Sequence, residues 1–540
     1  MKIMNSEETT RNRDGERGAS LIIALLSLLI LGLLSAGLIF VTRTETYTSA
    51  NYTELAQARY AAEAGVQSTI NWLSHNYTAP TAFTSYNTST VPVQCSTGCS
   101  SNGSAVVLSA LSGVSSNYPD STVASAYSIA LGNQTLPGLT NASYSTTATL
   151  ISMTPGSGVS WLGSGGAMQT WQITSQGTVA GFRTATVQVT ATYERTGKPI
   201  FNYAVETTST ACKSIYFAGT DFTDSYNSNV GAYGGTNIQA SGGNIASNGN
   251  VTLASGANIK GTITDDNLTV GACPDGITSS GTYHGTNLLT SPLNPPLPWG
   301  CAATPCYPSP LPPTTSQDVS TSCGSIAGCV SKGSTVIYDN GSKTTVNQYS
   351  LPPGIYGNLK VDNADVLYMS AGTYNVNSLI FSKDGQVVVT SGPVVLNVAG
   401  QGYSAGNYVV NAGGLAGWNM CNNGLPGNVD QYSQANCPTG PPVSGTPTSG
   451  GPISGIPANF QIVYAGAASI GSTGSPVCSV IYAPNSPVPI TGAAVGYYGA
   501  IISSTFTEGS KAPVHYDNAL QSSLLQVGSF QLISFSWSKF

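Results

Sequence analysis

Charge is what this 540-residue chain has least of: Asp, Glu, Lys and Arg together make up 7% of it, against roughly a quarter in ordinary soluble proteins. The net charge is only −6, and no cluster of Lys or Arg stands outside the first 17 residues. Charge-driven binding to nucleic acid needs clustered cations, so that function is excluded. Three histidines, His75, His284 and His515, are too scattered for a two-histidine metal motif. A phosphate-binding glycine loop ending in Gly-Lys-Ser/Thr is absent as well. No cysteine occurs in the first 90 residues.

Short hydroxyl and amide side chains, with glycine, stand where charge would be. Such a composition suits β-structure on the outside of a cell. All eleven cysteines fall in the later sequence, the oxidising side of the membrane on the topology below. Cys95 lies near Cys99, Cys301 near Cys306, Cys323 near Cys329, and Cys421 near Cys437. Each pair could close a small loop, leaving Cys212, Cys273 and Cys478 with one odd thiol. Zinc on Cys301, Cys306, Cys323 and Cys329 is the other reading, but the spacing is loose and disulfides fit it better.

One long apolar run opens the chain. Ala19 to Val41 contains 23 residues without a charge, about 35 Å of helix at roughly 1.5 Å per residue. Arg11, Arg13 and Arg17 precede it, which favours a cytoplasmic N-terminus. A secretory signal places its cleavage site after the apolar core. Here the only candidate site, Gly18/Ala19, comes before it, so cutting would leave the anchor on the mature protein. Farther on, Leu55, Ala58, Ala62, Val66, Ile70 and Leu73 form one apolar stripe at helical spacing. Glu63 reads as a solvated helix residue. Asn76 to Pro80 should end the helix.

The segment RGASLIIALLSLLILGLLSAG, followed by Gln57-Ala58-Arg59-Tyr60-Ala61-Ala62-Glu63-Ala64-Gly65, resembles the N-terminus of PilX-like minor pilins of type IV pili. That resemblance implies a leader of residues 1–18, cleavage by a prepilin peptidase between Gly18 and Ala19, and a membrane or filament helix starting Ser20, Leu21, Ile22 and Ile23. It also implies a family helix motif at Ala61, Ala62, Glu63 and Ala64. Major pilins carry glutamate at the fifth mature position. Here that position is Ile23, which points away from a major filament subunit. The implied partners are the inner membrane, other pilins and their assembly machinery, and prepilin peptidase, with no nucleic acid.

The remaining chain reads as β-structure. Trp171, Ile173, Val187, Val189, Ala191 and Tyr193 alternate with polar residues around a turn at Gly181-Phe182-Arg183, an antiparallel hairpin. Its Ile-Thr-Ser-x-Gly is similar to a hairpin after the helix in many PilX-like proteins. Beyond residue 215, Asn237-Ile238, Asn244-Ile245, Asn250-Val251, Asn258-Ile259 and Asn267-Leu268 place a polar-apolar pair at short, regular steps. Gly354-Ile-Tyr356, Gly372-Thr-Tyr374 and Gly392-Pro-Val394 recur at longer, nearly even intervals. Short strands at such spacing predict stacked coils. IYAPNSPVPITGAAVGYYGAIISS, with Val514-His515-Tyr516-Asp517, resembles the C-terminal β-helical region of some PilX-like proteins, which carries no established enzymatic activity.

The expected fold is therefore mainly β with a long N-terminal α-helix, in five parts. These are a leader at 1–18, a transmembrane segment at 19–41, an amphipathic continuation at 42–76, a pilin-like β-rich region at 77–200 and a right-handed β-solenoid-like domain at 201–540. Pro-rich stretches at 288–316 and 438–457 read as exposed excursions from the last. One catalytic pattern matches, Gly402-Tyr403-Ser404-Ala405-Gly406, with His515 and Asp517 as paper partners. No helix follows the serine, as a nucleophile elbow demands, so an enzyme is not expected. Asp265-Asp266 and Asp362-Asn363-Ala364-Asp365 could hold calcium at turns, although Asx-stabilised turns explain them better. The expected function is a minor, tip-proximal pilin-like subunit, single-pass in the inner membrane, with a part in surface adhesion. A stationary envelope scaffold or carbohydrate-binding protein is the alternative.

Overall fold

The computed structural model describes residues 14–540 except 81–82, 156–158, 163–166, 182, 232, 270–275, 340–341, 363–364, 383–385, 413–416, 421–455, 474–476, 492–495, 510–511 and 540. The chain forms two compact units. One comprises residues 1–154, 169–196 and 529–540; the other comprises 155–168 and 197–528.

The first unit is built on helix α1 (Asp14–His75). Leucine, isoleucine and alanine favour the helix through its apolar half. Hydroxyls that would otherwise be unpaired there bond within it: Thr42 Oγ1 donates to the Leu38 carbonyl at 2.7 Å and Thr44 Oγ1 to Phe40 at 2.8 Å. From Ala58 onward one face is buried, with Ala58, Ala62 and Leu73 at 0% exposure. Leu55 and Ile70, at the edges of the same stripe, are half-buried. The last turn closes when the Asn76 and Tyr77 amides both donate to the Trp72 carbonyl.

That face rests on a six-stranded sheet. In chain order its elements are β1 (Val107–Ser109), β2 (Gln134–Leu136), β3 (Leu139–Pro155), β4 (Ala167–Val179) and β5 (Ala185–Pro199), then the C-terminal strand Leu525–Lys539. The spatial order is β1, β3, β4, β5, C-terminal strand, with β2 paired to β3. β4 and β5 run antiparallel from Gln169 opposite Arg195 to Val179 opposite Ala185. Trp171, Ile173, Val187, Val189, Ala191 and Tyr193 all point into the core. Helix α2 (Ser121–Leu131) starts where the Asp120 side chain accepts from the Thr122 and Val123 amides. The end of the chain, expected within the 201–540 region, supplies an edge strand to this sheet instead.

The second unit is mainly a stack of short parallel strands, with one antiparallel pair, Val330–Asp339 against Ser342–Leu351. Gly354 pairs with Tyr374, Val366 with Gln386 and Gly372 with Val394, so each layer takes up a nearly constant length of chain. The register is not that of the Gly-x-Tyr repeats themselves, because Gly354 lies opposite Tyr374 rather than Gly372. Stretches such as Val394–Val398 and Phe460–Tyr464 are buried at every position. Ile245, Val251 and Ile259 enter the core as their Asn-apolar pairs predict, whereas Ile238 stays 40% exposed.

The path through the stack is not sequential. Strands between 205 and 226 pair on one side with those between 245 and 265, and on the other with those between 497 and 517. The chain thus starts mid-stack and builds outward to strands at 277–288. It then crosses to the opposite end at 316–351 and returns layer by layer to meet its own beginning.

The Pro-rich run 288–316 makes the crossing, and it is not a free excursion. Prolines leave carbonyls without neighbouring backbone donors, and side chains of successive layers supply them. Asn248 Nδ2 donates to the Leu293 carbonyl at 2.7 Å, Asn375 Nδ2 to Pro310 at 2.8 Å, Gln401 Nε2 to Pro312 at 2.6 Å and Asn358 Nδ2 to Thr314 at 2.7 Å. The Tyr482 hydroxyl donates to the Pro296 carbonyl, and Trp299 Nε1 to Asn397 Oδ1 at 3.3 Å. The second Pro-rich stretch lies almost wholly outside the described residues.

Candidate functional site

Two different surfaces of α1 carry the chemistry of the first unit. Gly18 and Ala19 lie inside the helix, with no break between them. Residues 19–41 are exposed in every direction: Leu21, Ile22 and Ile23 are each near two-thirds exposed, and so are Leu33 and Leu34. A helix apolar all round and bare of partners needs lipid or other helices as its solvent. This helix is the one element among the described residues long and apolar enough to cross a membrane.

The other surface interlocks with the sheet. Gly177 of β4 lies so close that a Cβ there would come 2.0 Å from the Ala58 carbonyl oxygen and 2.5 Å from the Ala62 amide nitrogen. Reciprocally, a Cβ on Gly65 of α1 would meet Ser175 Oγ at 2.2 Å and Tyr144 at 2.8 Å. Small residues on both sides let the backbones touch, which explains Ala61 and Ala62, both fully buried. Ala64 is half-buried beside them. Glu63 faces outward in a 2.8 Å pair with Arg59. Below the interlock, the Tyr77 hydroxyl bonds to that of Tyr118 at 3.0 Å and accepts from Gln169 Nε2. Burial raises its pKa to about 12.

The paper triad is not assembled. Ser404 is exposed, and its hydroxyl donates to Asn407 Oδ1 at 3.1 Å. His515 Nδ1 lies 2.6 Å from Asp224 Oδ1, a partner 291 residues away that sequence reading did not find. Asp224 Oδ2 accepts from the Tyr233 hydroxyl at 2.8 Å, with Lys260 Nζ at 3.7 Å. The imidazole packs against the rings of both Tyr233 and Tyr498, which also touch each other edge-on. A Cβ built on Gly496 would fall 2.7 Å from its Nε2, so backbone closes that edge. Asp517 is spent on the Ser228 amide and hydroxyl and the Ala519 amide. This cluster staples the first strands of the unit to the last.

A carboxyl pair lies along the same seam. Glu508 and Asp221 share a hydrogen bond, while the Ala218 amide donates to Glu508 and the Ala512 amide to Asp221. Burial first, then the hydrogen bond and charge of Asp221, raises the Glu508 pKa to about 9. Burial raises Glu206 to about 7. Of the acids considered for calcium, Asp362 pairs with Lys360 at 2.6 Å, Asp265 Oδ1 accepts from the Asn267 amide and Asp365 Oδ1 from the Asn347 amide, while the second oxygens of Asp265 and Asp365 are buried without a hydrogen-bond partner. Among the described residues no group of three or more His, Cys, Asp or Glu is placed to hold a metal ion. Asn363 and Ala364 lie outside those residues.

The cysteines form Cys95–Cys99, Cys301–Cys306 and Cys323–Cys329 disulfides, which removes the zinc alternative. Cys212 is disulfide-bonded too, and Cys478 is a buried free thiol. Cys273, Cys421 and Cys437 lie outside the described residues.

Comparison with known proteins places these features. Residues 17–67, which take in both the bare and the interlocked surfaces of α1, match the PilX N-terminal family. Residues 324–523 match a family described as a domain of unknown function, DUF7305. The N-terminal segment of the chain is therefore PilX-like. Among solved structures it aligns with the competence-associated pilin ComZ from Thermus thermophilus at 13% identity, over 90% of this chain and 98% of that one. The TM-score of 0.28 is too low to assign fold or function. No curated protein matches it in sequence.

Proposed function

We propose that the protein is a minor, tip-proximal subunit of a type IV pilus. The observation that carries this reading is α1 itself: a PilX-type helix, bare and apolar over residues 19–41 and locked to a sheet from Ala58 onward. Held by that stem, the chain waits in the inner membrane as a single-pass protein, N-terminus in the cytoplasm. Prepilin peptidase cuts between Gly18 and Ala19, and the stem then slides into a bundle of other pilin helices. Ile23 supplies no carboxylate to neutralise a neighbouring subunit's amine. The second unit takes up most of the chain and is inserted into the pilin-like sheet, too bulky to repeat along a thin fibre. Both features favour a rare position near the tip.

The second unit is read as a β-solenoid that presents a weakly charged surface for adhesion. Parallel pairing at a nearly constant offset along the chain supports the solenoid. The role is structural rather than enzymatic, in keeping with the PilX-like N-terminus.

Sequencing the mature N-terminus from cells with and without prepilin peptidase tests the reading. Ala19 as the first residue, only when the peptidase is present, and recovery of the chain in sheared pili are expected. An intact leader in both strains would leave the stationary envelope protein as the better account.

A further inference from the structure

The C-terminal strand of the first unit is exposed at every position from Gln531 to Ser538, yet it is not patterned as a solvent-facing strand. Ile533, Phe535 and Trp537 alternate with Ser534, Ser536 and Ser538. Side chains at period two share a face, so from Ile533 to Ser538 one face is apolar and the other hydroxyl, with Gln531 preceding on the apolar side and Leu532, 53% exposed, on the hydroxyl side. Such alternation belongs to a strand with one buried side. Here the apolar side is open: Ile533 is 56% exposed, Phe535 46% and Trp537 52%. Trp537 identifies the side. Its ring lies 5.1 Å from the Arg59 guanidinium of α1, so the apolar face is the one on which α1 packs.

Geometry indicates what would cover it. α1 sits over β3 and β4, through Tyr144 and Thr146 beside Gly65 and through Gly177. The C-terminal strand lies two places beyond β4 in the sheet, about 10 Å away at a strand spacing of roughly 4.8 Å. Packed helices lie about 8–10 Å apart. A second helix resting on Ile533, Phe535 and Trp537 would therefore sit at normal packing distance from α1. It would also continue the side-by-side helix contact that residues 19–41 need for themselves.

We propose that this face docks the α-helical stem of a different pilin subunit, laid beside α1 on the same sheet. The proposal rests on the pilin reading above. It is tested in cells producing the full chain, with a photoreactive phenylalanine analogue placed singly at 533, 535, 534 or 536. Crosslinks to another pilin from positions 533 and 535, at least about fivefold over 534 and 536, are expected from the period-two geometry. Equal yields from all four positions, crosslinks only to a second copy of this chain, or no crosslinks from a chain present in sheared pili would each overturn it. If the chain is missing from sheared pili altogether, the pilin reading falls and the docking proposal with it. As an independent measure, Phe535→Ser with Trp537→Ser should lower the pilus-associated fraction about tenfold, as loss of two aromatic anchors does at interfaces. Total protein and its resistance to protease should not change. An unchanged fraction would also refute the proposal.

Discussion

Gly177→Ala tests how closely helix and sheet must fit. The added methyl would lie 2.0 Å from the Ala58 carbonyl oxygen and 2.5 Å from the Ala62 nitrogen. Both are backbone atoms of a helix that is anchored by Val66, Trp72 and Leu73, so no side chain can turn aside. Restoring contact near 3.5 Å requires α1 to retreat by about 1.5 Å, which opens gaps along its buried stripe. Overpacking of this kind costs about 1–3 kcal/mol. For a unit of this size that is a fall of roughly 3–10 °C in Tm. Gly181→Ala is the internal control. Its methyl would also meet an atom at 2.0 Å, but that atom is Oε1 at the end of the flexible Glu54 side chain. Its cost should stay within about 0.5 kcal/mol. Near-UV circular dichroism of the full chain in detergent, followed on heating, reads both. Equal melting of the Gly177 variant and the parent, or a larger loss at Gly181, would refute the argument.

Gly65→Ala should destabilise the same unit, and Ser175→Gly should restore part of the loss, with a coupling of about 1 kcal/mol in a double-mutant cycle; additive effects would mean the two residues do not share the contact. Glu508, ionising near 4.5 when unfolded and near 9 when folded, keeps its proton better in the folded chain, so its contribution is complete below about 4.5 and is lost as pH rises through 9. Glu206, raised to about 7, acts in the same direction. Thermal melts at pH 5, 7 and 9 should show falling stability, and Glu508→Gln should flatten that decline; an unchanged slope would count against a raised Glu508 pKa. Asn375→Ala and Gln401→Ala should each remove about 1 kcal/mol by leaving a proline carbonyl without its donor, with faster proteolysis between residues 300 and 312 as the readout.

The sequence exposes what local pattern decides. The stripe from Leu55 to Leu73 and the alternation through Trp171 and Val187 follow from one helix and one hairpin, each made of neighbours in the chain. The three disulfides that join close neighbours in sequence are equally visible. Partners distant in the chain are not. Short strands such as Val251–Leu253 and Ile277–Ser279 are alike in composition, so nothing local records that the stack begins in its middle. Nor can spacing show that His515 bonds to Asp224 rather than to Asp517, its near neighbour. The amides of Asn375 and Gln401 look like surface residues until the proline carbonyls they serve are seen. The Ile-Ser-Phe-Ser-Trp alternation at the end of the chain is legible too: it has the period of a half-buried strand, unlike the fully buried layers before it.

Because the second unit opens and closes on strands that pair with each other, its entrance and exit lie together in one place. In chain order it falls between β5 and the C-terminal strand, which are neighbours in the sheet of the first unit. A cassette with such a doorway can be lengthened by whole layers, trimmed, or exchanged for another without stretching the frame that carries it. On the pilin reading proposed above, such a chain could vary what it displays while its stem and sheet stay the same.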